Sequence, residues 1–193
     1  MTPRSKTLVL SVVAAIIGSV VTAWITVAVR RRIGRPAASA AVALPVQPPA
    51  APGRKIKARL FYVSNDGTKL TAVDREVAYA DGAAAQAQEI VSAQLAAAPA
   101  PFVSAIPRGT RLRALYLNSK GEAYVDLSKE ASAAHTGGTQ DEVLTIYSIV
   151  DALTANLPAV TSVQLLVDGK EVDTLAGHID LRRPLGKNLD VVE

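Results

Sequence analysis

Residues Leu8 to Val29 run for 22 positions without a charge. At about 1.5 Å of rise per residue, a helix of that length reaches about 33 Å, enough to cross the hydrocarbon core of a bilayer. Trp24 stands near one end, where an amphipathic ring suits the interface. A cleaved signal peptide and a buried soluble helix are the competing readings. A signal sequence usually has an apolar core of about 7–15 residues. This run is longer, and Arg30, Arg31 and Arg32 follow it directly. Small-residue sites such as Ala38-Ser39-Ala40 carry little weight in an alanine-rich stretch. Basic residues at both ends argue against burial in a soluble core. We therefore read an uncleaved transmembrane helix over 8–29, after a short tail over 1–7. Ala14, Gly18 and Thr22 share one face of it, a spacing that permits close helix approach in lipid and that chance also supplies here.

The net charge of +4 belongs to the same end of the chain. Arg4, Lys6, Arg30, Arg31, Arg32 and Arg35 precede any acid, which leaves 15 Lys/Arg against all 17 Asp/Glu and a net of −2 for the rest. Nucleic acid is thus not expected as a partner. Cysteine is absent, which excludes disulfides, thiolate metal sites, cysteine nucleophiles and lipidation on cysteine. Two histidines exclude a multi-histidine metal centre.

From Pro36 to Gly53, five of 18 residues are proline and none is charged. With the arginines before it, this makes 30–53 a basic and Pro/Ala-rich linker. As polyproline II, at roughly 3.1 Å per residue, it would reach about 50 Å. A single domain is then expected over 54–193.

Within that domain, alternation predicts strands at Lys57–Val63 and Leu70–Val77, joined by the turn Ser64-Asn65-Asp66-Gly67. Ala83 to Ala98 reads as a helix ended by Pro99. Arg111–Leu117 and Ala123–Leu127 read as a hairpin around Asn118-Ser119-Lys120-Gly121. Thr139 and Glu142 have the spacing of a capping box for a helix whose apolar stripe is Val143, Ile146, Tyr147, Val150, Leu153 and Leu157. Pro158 stops it. Val163–Val167 is a buried strand, and Asp168-Gly169 turns into another at Val172–Leu175. The order ββα-ββα-ββ predicts an α+β, two-layer domain with helices packed on a mixed or antiparallel sheet.

Candidate chemistry is sparse, and a hydrolase would have to draw on His135, His178, Asp180 and the serines. His178 and Asp180 would share a face if they lay on a strand, as a base and its orienting carboxylate. No serine stands in a nucleophile-elbow or S-x-x-K motif, and a turn histidine with a structural hydrogen bond explains His178 as well. Asp126 and Asp180 are nominal glycosidase carboxylates, but capping turns at strand ends suffices for them. A metal held by His178, Asp180 and another acid has no support from spacing. Thr136-Gly137-Gly138-Thr139 before a helix offers backbone N–H groups to an anion, without the lysine or glycine pattern of a nucleotide loop. Arg108, Arg111 and Arg113 could form a basic strip with Arg54, Lys55, Lys57 and Arg59, but for any one of them a solvated strand edge is the preferred reading. Tyr62, Tyr116 and Tyr124 are candidate sugar platforms.

Several segments resemble the sporulation and spore germination (GerMN) domain. They are Leu60-Phe61-Tyr62 with Leu70, Arg75 and Glu76; Ile90 to Pro99; Ile106-Pro107-Arg108-Gly109-Thr110; Ala123-Tyr124-Val125-Asp126-Leu127-Ser128; and Gly138-Thr139 with Glu142. Ile149 to Thr154, Val163 to Gly169, Leu175 to Asp180 and Pro184-Leu185 complete the pattern. Ala98 stands before Pro99 where the family often has glycine. Many relatives carry two such domains or a lipobox cysteine, and this chain has neither. The resemblance implies an extracytoplasmic module at the cell envelope, linked in relatives to spore formation and germination. It also implies a fold similar to ring-building motifs of secretion complexes. It carries over no catalytic residue. Pro107, Gly109, Gly169, Gly177, His178, Asp180 and Pro184 are motif positions with structural or interaction roles.

The expected protein is a single-pass, envelope-facing, non-catalytic interaction module of the cytoplasmic membrane, without cofactor or metal. Its expected partners are the membrane through 8–29 and a protein, or a second copy, in the envelope. A peptidoglycan-binding or remodelling protein is the alternative. The positive-inside rule taken alone places the body in the cytoplasm, opposite to the family's compartment. Large domains translocate despite modest charge bias, so the family's side is preferred.

Overall fold

The computed structural model describes residues 53–193. The anchor over 8–29 and all of the linker before Gly53 lie outside the described residues. Among those described, no helix is long and apolar enough to cross a membrane.

The chain begins with an antiparallel hairpin of β1 (Lys55–Val63) and β2 (Leu70–Ala78). Alternation sets its faces. Ala58, Leu60 and Tyr62 point into the core, while Lys55, Lys57 and Arg59 stand in solvent. The turn is held by Asp66, which accepts from Ser64 Oγ at 2.6 Å, Thr68 N at 3.0 Å and Thr68 Oγ1 at 2.8 Å. These bonds, that from Ser64 first, hold the Asp66 carboxyl down at about 2.

Helix α1 (Ala83–Leu95) follows, then β3 (Leu112–Leu117), β4 (Glu122–Leu127), the single turn α2 (Glu130–Ala133) and the long helix α3 (Thr139–Asn156). The chain ends with β5 (Ser162–Val167), the two-residue strands β6 (Lys170–Glu171) and β7 (Leu185–Gly186), and a 3-10 turn at Leu189–Val191. β3 to β6 form one mixed sheet in the order β3-β4-β5-β6, with β7 on β5. The β4–β5 pair is parallel, and α2 and α3 make the crossover that a parallel pair requires. The α+β class holds, but the strands form two sheets where the sequence predicted one.

α3 explains that separation. It packs against β1, α1, β5 and β7, so it lies between the hairpin and the mixed sheet. Leu144, Ile146, Ile149, Val150, Ala152 and Leu153 are all in the core, while Val143, Tyr147 and Leu157 of the expected stripe are half-buried. A helix covered on several sides does not show a single apolar face.

Three local expectations change. α1 stops at Leu95, because Ala96 turns to extended backbone ahead of Pro99. Gly138 rather than Thr139 occupies the N-cap of α3, and no side chain caps it. The strand after Asp168-Gly169 is Lys170–Glu171, not Val172–Leu175, because the chain leaves the sheet there and buries Leu175 and Leu181.

The outer edge of β1 is closed without a strand. Asn156 Oδ1 accepts from Arg59 N at 2.7 Å while its Nδ2 donates to Arg59 O at 2.7 Å. Gln94 does the same at Phe61, accepting from N at 2.9 Å and donating to O at 2.7 Å. Val63 N donates to Val103 O at 2.9 Å. Two helices and a loop thus satisfy the ladder from 59 to 63.

Candidate functional site

Most motif positions converge on the loop that follows β6. Its anchor is Glu142, in the first turn of α3 and 0% exposed. Glu142 Oε1 accepts from Leu175 N at 2.8 Å and Ala176 N at 2.9 Å. Its Oε2 accepts from His178 N at 2.8 Å and lies 3.1 Å from His178 Nδ1. Burial raises this carboxyl, but the N–H groups of Ala176, His178 and Leu175 and the His178 ring outweigh it, so the group stays below its ordinary value. The residue expected to complete a capping box instead gathers a loop 33 to 36 positions away.

This settles where the nominated chemistry sits. His178 and Asp180 do not share a strand, since residues 174–180 form no strand. The His178 ring pairs with Glu142. Asp180 turns to Arg182, accepting from Arg182 N at 3.0 Å, Nε at 2.9 Å and Nη2 at 2.7 Å. Those bonds hold Asp180 well below the usual carboxylate range. Asp126 accepts from Gly169 N at 2.7 Å and lies 3.2 Å from Arg113 Nη1, which also reaches Asp168. No group of three or more His, Asp or Glu among the described residues is arranged to hold a metal.

The remaining motif positions shape turns. Pro107 O accepts from Thr110 N and Oγ1 at 3.2 and 2.7 Å, around Gly109 at φ 84°. Gly177 N donates to Thr174 Oγ1 at 2.9 Å, and Pro184 leads into β7. The structure brings Gly177 and His178 together with Glu142, whereas Pro107 and Gly109 belong to a separate turn.

That turn borders a groove of about 580 Å³, lined by Val103, Ile106, Arg108, His135, Asp141 and Leu144 among others. Its walls are tied together through His135. Thr145 Oγ1 donates to Ala105 O at 2.7 Å, so the 3.2 Å contact with His135 requires the ring proton on Nε2. His135 Nδ1 then accepts from Gly137 N at 3.1 Å. The candidate anion loop Thr136–Thr139 has spent Gly137's N–H on this bond.

The other candidates separate as well. Tyr62 is 0% exposed and stacked on Phe102 at 5.7 Å between ring centroids, so it is no sugar platform. Tyr116 is 52% exposed and stands opposite half-buried Tyr124 on one face of the mixed sheet. The basic strip divides. Lys55 and Arg59 pair with Glu76 and Asp74 on the hairpin, while Arg113 pairs with Asp126 on the other sheet.

Sequence reasoning passed over Asp151. Its Oδ1 accepts from Asn188 N at 2.9 Å, and its Oδ2 is buried with no hydrogen-bond partner among the described residues. Burial pushes this carboxyl up to about 6, against the Asn188 bond and the Lys187 charge. Lying between Val150 and Ala152 in a helical pattern, it gave no signal beyond being a polar residue in an apolar run.

These features define a two-sheet α+β domain built on turn motifs and a carboxylate-anchored loop. Residues 59–173, more than half of the chain, match the Germane family, described as sporulation and spore germination. The protein belongs to that family. Its fold is similar to a candidate lipoprotein from Clostridium perfringens, at 24% identity and a TM-score of 0.51, covering 69% of this chain and 88% of that one. It is also similar to the tandem GerMN domains of the sporulation protein GerM from Bacillus subtilis, at 18% identity and TM-score 0.54, covering 69% of this chain and 46% of that one. The first GerMN domain of the same protein matches at 17% identity and TM-score 0.51, covering 69% and 96%. This chain therefore spans just under half of the tandem structure. No curated protein matches.

Proposed function

We propose that this protein is a single-pass, envelope-facing interaction module. Residues 8–29 hold it in the cytoplasmic membrane, 30–53 space it from the surface, and the domain recruits a protein partner without catalysis. Its role is tied to spore formation, germination or envelope organisation. The observation that carries the non-catalytic part is the fate of the nominated groups. His178, Asp126 and Asp180 are each engaged with a structural partner. The related structures, a sporulation protein and a candidate lipoprotein, favour the envelope. Reporter fusions after Glu193 test the topology, and an exclusively cytoplasmic signal would refute it. A full-length chain that turns over murein, and loses that activity in His178→Ala, would refute the absence of catalysis.

A wall-binding role is the second reading. It is favoured by Tyr116, exposed beside Tyr124 on a sheet face where an aromatic ring can stack on a sugar. Co-sedimentation with purified cell wall, weakened by Tyr116→Ala, is its expected outcome. A chain that stays in the supernatant would exclude it.

A further inference from the structure

We infer that the free edge of β2, at Ala72, Asp74 and Glu76, docks an extended segment of a protein partner bearing lysine or arginine, added as a third strand to the hairpin. This rests on the reading of the domain as a protein-interaction module, and it names the surface and the partner's chemistry.

The argument is an accounting of strand edges. In the β1–β2 register, Arg59 faces Asp74, Phe61 faces Ala72 and Lys57 faces Glu76. Arg59 and Phe61 aim their N–H and C=O groups away from β2, at Asn156 and Gln94. Their partners in an antiparallel ladder therefore aim away from β1. Among the described residues, nothing meets the outward backbone groups of Ala72, Asp74 and Glu76. At one end of this window Glu193 N donates to Leu70 O at 2.9 Å, and at the other Gln86 Nε2 donates to Ala78 O at 3.0 Å. Of the other edges, β1 and β3 are met in part by helices, and the remaining two are short. β1 is closed from 59 to 63. β3 lies under α1, with Gln88 Nε2 at 3.5 Å from Leu115 O, and β6 and β7 have two residues each. An open edge is where strand addition takes place.

Charge selects the occupant. Asp74 and Glu76 are exposed on the face where β1 presents Lys55, Lys57 and Arg59. Each acid already pairs with a cation on its β1 side, through Arg59 and Lys55. A new strand carrying cations on that face would flank the acidic row on both sides, and cross-strand opposite charges attract. A second copy of β2, pairing antiparallel about Asp74, would set acid against acid. The site therefore favours a different, basic partner over self-pairing.

The test uses the full-length chain in detergent micelles and an acetylated, amidated heptapeptide alternating lysine with valine, with a glutamate–valine peptide as control. The lysine peptide should slow amide exchange in the segment containing 72–76, and the glutamate peptide should bind about tenfold more weakly. Ala72→Pro removes an outward N–H without breaking the β1–β2 ladder, and proline is tolerated at such edge positions. It should weaken the lysine peptide about tenfold, while Asp74→Asn with Glu76→Gln should abolish the preference for lysine. Unchanged melting of each variant shows that the fold is intact. Absence of binding, protection elsewhere, or binding indifferent to Ala72→Pro would overturn the strand site. If the peptide fails while cross-linking in the living envelope captures a partner through another face, this inference falls and the interaction reading stands. If no face captures a partner and murein is turned over, the interaction reading falls too.

Discussion

Replacing Asp151 by asparagine should stabilise the protein at neutral pH and remove a pH dependence between about 4 and 6. Asp151 is 0% exposed, and among the described residues it accepts a hydrogen bond from Asn188 N and feels the Lys187 charge. Burial raises its carboxyl from 3.8 to about 6. Below about 4 the group is protonated both folded and unfolded. As pH rises, the unfolded chain ionises first, so the folded state holds the extra proton and stability falls until about pH 6. The shift corresponds to about 3 kcal/mol lost by neutral pH. Asparagine keeps an acceptor for Asn188 N and carries no charge, but its buried NH₂ lacks an acceptor, which returns about 1 kcal/mol or more. A net gain of about 1–2 kcal/mol at pH 7 is expected, a shift in the urea midpoint of roughly 1 M. Urea unfolding followed by far-ultraviolet circular dichroism at pH 4, 5, 6 and 7 reads it. Glu142 has the opposite sign, because its lowered carboxyl stabilises above about 4.5 and loses that contribution as pH falls. The difference between wild type and Asp151→Asn cancels that trend. A difference that stays constant from pH 4 to 7 would refute the reasoning.

Four further outcomes follow from the geometry. Glu142→Ala should cost about 3 kcal/mol or more, since three loop N–H groups lose a charged acceptor, and amide exchange at 175–178 should accelerate more than elsewhere. Gly121→Ala should destabilise by about 2–4 kcal/mol in thermal unfolding, because φ is 83° and the new Cβ would lie 2.8 Å from Ala159 O. Gly67→Ala meets nothing within 4 Å and should cost only about 1–2 kcal/mol. Thr145→Val should break the tie between His135 and Ala105, and exchange at Gly137 and in 103–106 should rise while the β4–β5 ladder stays protected.

The hairpins were legible in the sequence because their signals are local. Alternation marked β1, β2, β3 and β4, and the turns at 64–67 and 118–121 fell where the residues put them. The Germane resemblance was legible too, carried by short motifs spread over most of the domain. Longer-range facts were hidden. Glu142 has the spacing of a capping residue, yet a loop more than 30 positions away offered it more N–H donors. Tyr62 falls on the core side of β1 with Leu60, but its stacking partner Phe102 lies in a distant loop and left no local signal. The parallel pairing of β4 with β5 across α3 divides the strands into two sheets, and no periodicity within one segment encodes which sheet it joins. His178 was readable as a turn histidine with a structural hydrogen bond, but its partner Glu142, on a distant helix, was not.

Gln94 and Asn156 stand in for the peptide groups of a missing neighbour, each offering one acceptor and one donor to a single β1 residue. The arrangement depends on the difference between a nitrogen and an oxygen at two positions. Hydrolytic deamidation of Asn156 would replace Nδ2 by an oxygen that faces the carbonyls of Arg59 and Ala152, both now 2.7 Å away. Three acceptors would then share a space built for two hydrogens. Chemical ageing at this side chain would therefore loosen β1 at Arg59, while Gln94 and Val103 still hold it at Phe61 and Val63.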